Sequence, residues 1–169
     1  LSAVDNLKIT QAISGRGGST DIDEVLRIVK LDERKNSKFS SYSLGMKQRL
    51  AIGAALLGNP GVLVFDEPTN GLDPVGIAEI RELIKTLAAS GKTIIMASHL
   101  LDEVEKVCTH VAILKKGNLL TAGPVDEVLA QEDIVEIAAA DNDALENMVQ
   151  DMGGFTTVNK HASCIQLFY

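Results

Sequence analysis

The sequence lacks the features of several common functional classes. It has only two cysteines, Cys108 and Cys164, which lie far apart without a C-x-x-C or Cys/His pattern around them. This argues against a disulfide framework and a zinc site, and favours buried thiols in a reducing compartment. No apolar run approaches the roughly 18 residues that span a bilayer, and no secretion signal opens the chain. A formal net charge of −7, with scattered basic residues, argues against nucleic acid as a partner.

The most informative absence is the phosphate-binding loop G-x-x-x-x-G-K-[ST], which occurs nowhere in the 169 residues. The glycine-rich stretch at residues 15–20 has no Lys before its hydroxyl residues and no apolar strand before it. A flexible connection between helices is the better interpretation of that stretch. The chain begins at Leu1 rather than at Met and enters structured-looking sequence at once, so we expect it to be a fragment.

Apolar patterns predict a helical region followed by alternating strands and helices. Helices are predicted within residues 1–31, from Ser43 to Gly58, and at residues 75–89, 101–107 and 124–130. Strands are predicted at residues 62–65, 93–95, 111–114 and 119–122. A hairpin turn at residues 116–118 is expected to join the last two strands. A strand, a helix and a strand joined by a crossover of this length imply a parallel sheet covered on both faces, with the strand at residues 62–65 buried. The fold class is therefore α/β.

The apolar patterns and a shift in composition after Glu132 divide the chain into three segments. Residues 1–58 form a helical subdomain, residues 59–131 a core of strands and helices, and residues 132–169 a small acidic α+β extension. In the extension we predict strands at residues 134–137, 155–158 and 163–168 and a helix at residues 143–152.

Two acids follow the apolar strand at residues 62–65. Asp66 and Glu67 stand at its C-terminal end, where parallel sheets place their ligand-binding groups. Asp66 is suited to hold Mg²⁺ through water, and Glu67 to act as the general base toward an attacking water. The alternative is that both acids cap the turn beside Pro68. Upstream, Ser43 opens a helix whose N-terminal N–H groups, at Gly45 and Met46, suit a phosphate.

These segments resemble the ATP-binding domain of an ABC transporter over residues 1–130. The strand ending in Asp66 and Glu67 is similar to the Walker B motif with its catalytic glutamate, and Gly71-Leu72-Asp73 is similar to the D-loop. Ser98-His99 resembles the switch histidine, and residues 43–48 resemble the signature motif. The resemblance implies a partial P-loop NTPase fold with a helical signature subdomain, with the Walker A and glutamine loops expected upstream of Leu1.

The resemblance also implies roles for single residues. Ser43, Gly45 and Met46 would bind the ATP of the opposite subunit in trans, and Asp73 would cross the interface between the two subunits. His99 would donate a hydrogen bond to the γ-phosphate, and Glu67 and His99 would be the catalytic residues. The alternatives are an acidic turn residue at Asp73 and a satisfied core histidine at His99.

The signature departs from its commonest form at Leu44, where Gly is usual, and at Met46, where Gln is usual. This variant resembles the bacitracin-, lantibiotic- and drug-exporting branch. The expected function is an ATP- and Mg²⁺-dependent ATPase subunit, as a homodimer or heterodimer, that energises a separate membrane permease. Its place would be cytoplasmic, on the inner face of a bacterial membrane. Alternatives are a non-transport ABC ATPase and a degenerate, non-hydrolytic regulatory module. The fragment alone is expected to be inactive.

Overall fold

A computed structural model describes residues 1–18, 21–129, 134–137, 145, 148–149, 157–160 and 165–168. The chain divides into two compact units, Leu1–Cys108 and Thr109–Tyr169, and each is described by itself below. The division into residues 1–58, 59–131 and 132–169 stays a prediction. Among the helices within the described ranges, none is long and apolar enough to cross a membrane.

Three helices form the first part of unit 1: α1 (Ala3–Ser14), α2 (Asp21–Ile28) and α3 (Leu44–Leu56). A capping box starts α1, in which the Asp5 N–H donates to Ser2 Oγ and the Ser2 N–H donates to the Asp5 carboxylate. The Ser2 N–H and O–H both donate to the Asp5 carboxylate, and these two bonds lower the pKa of the Asp5 carboxyl. The helical region predicted for residues 1–31 is confirmed, and Gly15–Gly18 lies outside the helices as expected; Ser19 and Thr20 lie outside the described residues.

Two short 3₁₀ helices, Asp32–Arg34 and Phe39–Ser41, connect α2 to α3. Tyr42 follows them and is buried, with its O–H donating to the Arg34 carbonyl at 2.7 Å. Burial raises the pKa of the Tyr42 hydroxyl. The buried Tyr42 side chain and its hydrogen bond therefore hold the loop before α3 in place.

The second part of unit 1 alternates strands and helices: β1 (Val62–Asp66), α4 (Pro74–Ala89), β2 (Thr93–Ala97) and α5 (Leu101–Val107). Strands β1 and β2 pair in parallel, with Asp66 opposite Ala97. Apolar side chains from α3, α4 and β1, among them Leu56, Leu63 and Ile80, share one core cluster with α1 and α2. The predicted parallel pairing and helix positions are confirmed.

The prediction of a buried strand covered on both faces is wrong for β1. Leu63 and Phe65 point into the core, whereas Val62 and Val64 are 57% and 71% exposed, and Ile95 of β2 is 57% exposed. Successive side chains of a strand point to opposite faces. In the described residues, the helices of unit 1 therefore cover one face of this two-stranded sheet.

Unit 2 begins with the hairpin β3 (His110–Lys115) and β4 (Asn118–Pro124), followed by α6 (Val125–Val128). Lys116 and Gly117 both have positive φ, 51° and 79°, as a two-residue hairpin turn of this kind requires. Further on, β5 (Ile134–Ile137), β6 (Thr157–Lys160) and β7 (Ile165–Phe168) form an antiparallel sheet in the order β5-β7-β6.

The outcome in the acidic extension is mixed. The strand predicted at residues 134–137 is confirmed. Of the strands predicted at residues 155–158 and 163–168, residues 157–158 lie in β6 and residues 165–168 in β7, while residues 155–156 and 163–164 lie outside the described residues. The helix predicted at residues 143–152 falls mostly outside the described residues, although Leu145, Met148 and Val149 are helical. Of the two cysteines, Cys108 is partly rather than fully buried, and burial raises its pKa; Cys164 lies outside the described residues.

Candidate functional site

The ends of β1 and β2 bring Glu67 and His99 together. Because Asp66 lies opposite Ala97 in the parallel pair, the residues that follow each strand emerge at the same edge. The Glu67 N–H continues the ladder by donating to the Ala97 carbonyl at 3.0 Å. Beyond the strands, His99 Nδ1 lies 2.9 Å from Glu67 Oε1, with side-chain exposures of 63% and 31%. The sequence predicts both residues as site residues, and the structure places them in contact.

The backbone of Glu67 is in the left-handed region, with φ +47°. A residue other than glycine carries a cost of about 1–3 kcal/mol in such a conformation, which recurs at functional sites. The Glu67 carbonyl accepts the Asn70 N–H at 3.1 Å, closing a tight turn. Among the described residues, neither the Asp66 nor the Glu67 carboxylate accepts a bond from this turn, and Glu67 Oε2 is buried without a partner. The strained turn therefore carries a Glu67 carboxylate that makes no hydrogen bond to the turn itself.

Ser43 is the N-cap of α3, as the sequence predicts. Its Oγ accepts the Met46 N–H at 3.3 Å, while Ser43 and Leu44 are exposed. The Met46 N–H is thus engaged within the turn, whereas the Ser43 O–H stays available as a donor. No hydrogen bond in the described part of the chain joins Ser43, Gly45 or Met46 to Glu67 or His99.

Asp73 is the N-cap of α4, where its Oδ1 accepts the Gly76 N–H at 2.8 Å. The segment before it contacts the start of α3, because a Cβ added to Gly71 would lie 3.4 Å from the Leu44 side chain. Gly45 faces Leu72 in the same way, at 4.0 Å. The two turns that begin α3 and α4 therefore lie side by side, and Asp73 has a local structural role whatever else it does.

The residues present fit a magnesium ion held largely by water and substrate. Asp66 is exposed at the C-terminal end of β1. Among the residues that the structure describes, no group of three or more His, Cys, Asp or Glu side chains forms a ready cage. Mg²⁺ typically uses one or two carboxylates together with water and substrate phosphates, and one exposed Asp at the end of β1 matches that donor set.

Comparison with known proteins gives this arrangement a family. Residues 4–104 match the family described as "AAA domain, putative AbiEii toxin, Type IV TA system", which is a P-loop ATPase family. The bacitracin transport ATP-binding protein BcrA of Bacillus licheniformis is 47% identical over 129 residues, which cover 76% of this chain. The lantibiotic transport ATP-binding protein SrtF of Streptococcus pyogenes is 42% identical over 71% of it. The chain belongs to the ATP-binding domains of ABC transporters.

Solved structures agree with this ABC ATPase fold. The structure of cbiO1 from Clostridium perfringens, described as part of the ABC transporter complex cbiONQ, has a TM-score of 0.68 at 32% identity and covers 78% of this chain and 54% of its own. A nucleotide-free ATP-binding cassette reaches a TM-score of 0.70 at 23% identity, over 78% of this chain and 60% of its own. The chain spans 42% of the length of BcrA and 52% of SrtF.

Sequence reasoning missed two arginines of this ABC ATP-binding domain. Arg49 of α3 donates to the Lys30 carbonyl at 3.3 Å and lies 3.7 Å from the Glu79 carboxylate of α4. Arg81 of α4 binds Glu103 of α5 through both of its carboxylate oxygens, the shortest distance being 2.8 Å. In the sequence, the only indication of the pair Arg81–Glu103 is that Glu103 lies in the first turn of α5. An acid at that position is equally typical of an exposed helix start.

Proposed function

We propose that this ABC ATP-binding domain is part of the ATP-hydrolysing subunit of a transporter of the export type, which energises a separate membrane permease. The observation that carries the proposal is the contact between Glu67 and His99 at the C-terminal edge of the parallel strands. A carboxylate without a role in its own turn, beside an exposed imidazole, is suited to proton and phosphate chemistry.

Glu67 is the general base of the proposed reaction. Its carboxylate orients the attacking water and accepts a proton from it, while the strained turn keeps the side chain at the edge of the sheet. Oε1 is occupied by His99, and Oε2 has no hydrogen-bond partner among the described residues, so Oε2 is the oxygen left to accept from that water.

His99 donates a hydrogen bond to the γ-phosphate. The Glu67 carboxylate accepts in the proposed reaction, which puts the proton of this contact on His99 Nδ1. In a neutral imidazole Nε2 is then only an acceptor. His99 can therefore donate to the phosphate either through a second proton on Nε2 or by turning its Nδ1–H from Glu67 to the phosphate.

Asp66 holds Mg²⁺ through water in this proposal, and the ion supplies neutralisation of the charge on the β- and γ-phosphates. Asp66 lies next to Glu67 in sequence at the end of β1. Its exposure leaves room for the water molecules that Mg²⁺ retains.

The start of α3 acts in trans. Ser43, Gly45 and Met46 contact the phosphates of the nucleotide bound by the opposite subunit of a homodimer or heterodimer, where the positive end of the α3 dipole favours an anion. Since the Met46 N–H is bonded to Ser43 Oγ, the Ser43 O–H and the Gly45 N–H are the donors that this turn offers. Asp73 crosses the same interface and couples the two sites, in addition to capping α4.

The proposed partners are a second ATPase subunit and an integral-membrane permease, with the domain cytoplasmic and peripheral on the inner face of a bacterial membrane. Nucleic acid is not a proposed partner. Support comes from the relatives BcrA and SrtF, whose names assign them to bacitracin and lantibiotic transport.

Phosphate release by a chimera tests the function. The segment carrying the family's phosphate loop is taken from a curated relative and joined ahead of Leu1. We expect Mg²⁺-dependent ATP hydrolysis whose rate per subunit rises with protein concentration until dimers are complete, because each pocket needs two subunits. A chimera that binds ATP without releasing phosphate would contradict the proposal and favour the non-hydrolytic module. A rate per subunit that is independent of concentration down to the monomer would contradict the shared pockets.

A further inference from the structure

Glu103 is a buried acid for which the proposed chemistry has no use. Its side chain is 9% exposed, and the Arg81 guanidinium grips it: Nε lies 3.1 Å from Oε2, and Nη2 lies 2.8 Å from Oε1 and 3.0 Å from Oε2. The planar fork of Arg fixes a carboxylate in direction as well as in distance. Lys106 lies farther away, at 3.9 Å, and is half exposed.

Glu103 belongs to the helical turn that directly follows His99. Both the Glu103 and the Val104 N–H groups donate to the Leu100 carbonyl, at 3.0 and 3.2 Å. The Leu100 N–H in turn donates to Ser98 Oγ at 3.1 Å. The backbone of His99 therefore lies between the Ser98 side chain and the first turn of α5. The position of that turn determines the position of the His99 Cα, and with it that of the imidazole.

The His99 ring has little else to hold it. It is 63% exposed, and its one hydrogen bond in the described part of the chain is the contact with Glu67. The first turn of α5 is itself without a side-chain cap at Leu100. Two of its residues are buried, Val104 by apolar packing and Glu103 through Arg81.

We infer that Arg81 is a positioning residue for His99: by gripping Glu103 it fixes the first turn of α5 against α4, and so places the imidazole within hydrogen-bond distance of Glu67. The inference rests on the proposed role of His99 at the γ-phosphate. It also gives α4 a connecting function, since α4 begins at the Asp73 cap and carries Arg81 near its middle.

The test uses the 169-residue chain itself and needs no nucleotide. The ¹⁵N shifts of the His99 ring report its hydrogen bond to Glu67, with Glu67→Gln as the reference for an altered acceptor. Amide hydrogen exchange at Glu103 and Val104 reports the first turn of α5. Both are measured in Arg81→Met, in Arg81→Lys and in a matched control, Lys106→Met, which removes a cation from the same carboxylate.

We expect Arg81→Met to speed exchange at Glu103 and Val104 by about tenfold and to shift the His99 ring signals toward their Glu67→Gln values. Arg81→Lys keeps the charge without the fork and is expected to give an intermediate shift. Lys106→Met is expected to leave both readouts unchanged. If Arg81→Met does not fold, the Arg81→Lys shift decides.

Faster amide exchange in α5 together with unchanged ¹⁵N shifts of the His99 ring would overturn the inference. Arg81 would then stabilise α5 without positioning His99. Unchanged exchange and an unchanged ring would overturn it as well. Failure of the proposed function is a separate result, which is measured as phosphate release by the chimera. It does not change the expected ¹⁵N shifts of His99 or the expected amide exchange in α5.

Discussion

Substitution of Glu67 by Gln in the chimera is expected to lower kcat for ATP hydrolysis by about 10²–10⁴-fold, the usual contribution of a general base. The amide has the shape of the carboxylate and keeps an oxygen for His99, but it cannot take a proton from water. ATP binding is expected to survive, because the proposed role of Glu67 is toward the attacking water, and its observed contact is with the imidazole. Steady-state phosphate release gives kcat, and a titration with labelled ATP gives the affinity.

Glu82→Gln is the matched control for this substitution. Glu82 is exposed on α4, and only its backbone carbonyl, which accepts the Thr86 hydroxyl at 2.8 Å, takes part in a side-chain bond. The control is expected to retain the parent kcat. An unchanged kcat in Glu67→Gln would contradict the role of Glu67 as general base.

The 169-residue chain on its own is expected to bind ATP at least about a thousandfold more weakly than the chimera. Its sequence contains no G-x-x-x-x-G-K-[ST] loop. A charge-assisted hydrogen bond contributes about 1.5–3 kcal/mol, so three missing phosphate contacts correspond to about 4.5–9 kcal/mol. Isothermal titration of both proteins with ATP and Mg²⁺ measures the difference.

A chimera whose phosphate-loop Lys is replaced by Ala serves as the control, since its affinity should fall toward that of the chain alone. Micromolar ATP affinity in the unmodified chain would contradict this prediction. It would mean that the turns at Ser43 and Glu67 hold nucleotide without the loop.

Local chemistry made much of the fold predictable from sequence. The boundaries of α5 agree with the prediction, and the Lys116-Gly117 turn forms where a two-residue hairpin needs positive φ. The burial of β1 was not predictable from its four consecutive apolar residues. Such a run is typical of a strand covered on both faces, whereas Val62 and Val64 are exposed in the described residues.

The same distinction holds for the site. The contact between Glu67 and His99 follows from two strands ending at one edge, which sequence order and parallel pairing already imply. The left-handed backbone of Glu67 leaves no local signature, because glutamate is not a residue type that favours that region. The pair formed by Arg81 and Glu103 joins residues 22 positions apart on two helices, and helical periodicity within either helix carries no information about such a partner.

The central claim is that Glu67 of one subunit and the Ser43 turn of another complete the same ATP pocket. Mixing two inactive chimeras, Glu67→Gln and Gly45→Asp, tests it directly. A Cβ at Gly45 meets only the Leu72 side chain, at 4.0 Å, so the second variant should fold while its charge repels phosphate. Random pairing gives mixed dimers with one pocket free of both substitutions, and the account predicts recovery of about a quarter of the parent activity. A mixture no more active than its two components would contradict the account.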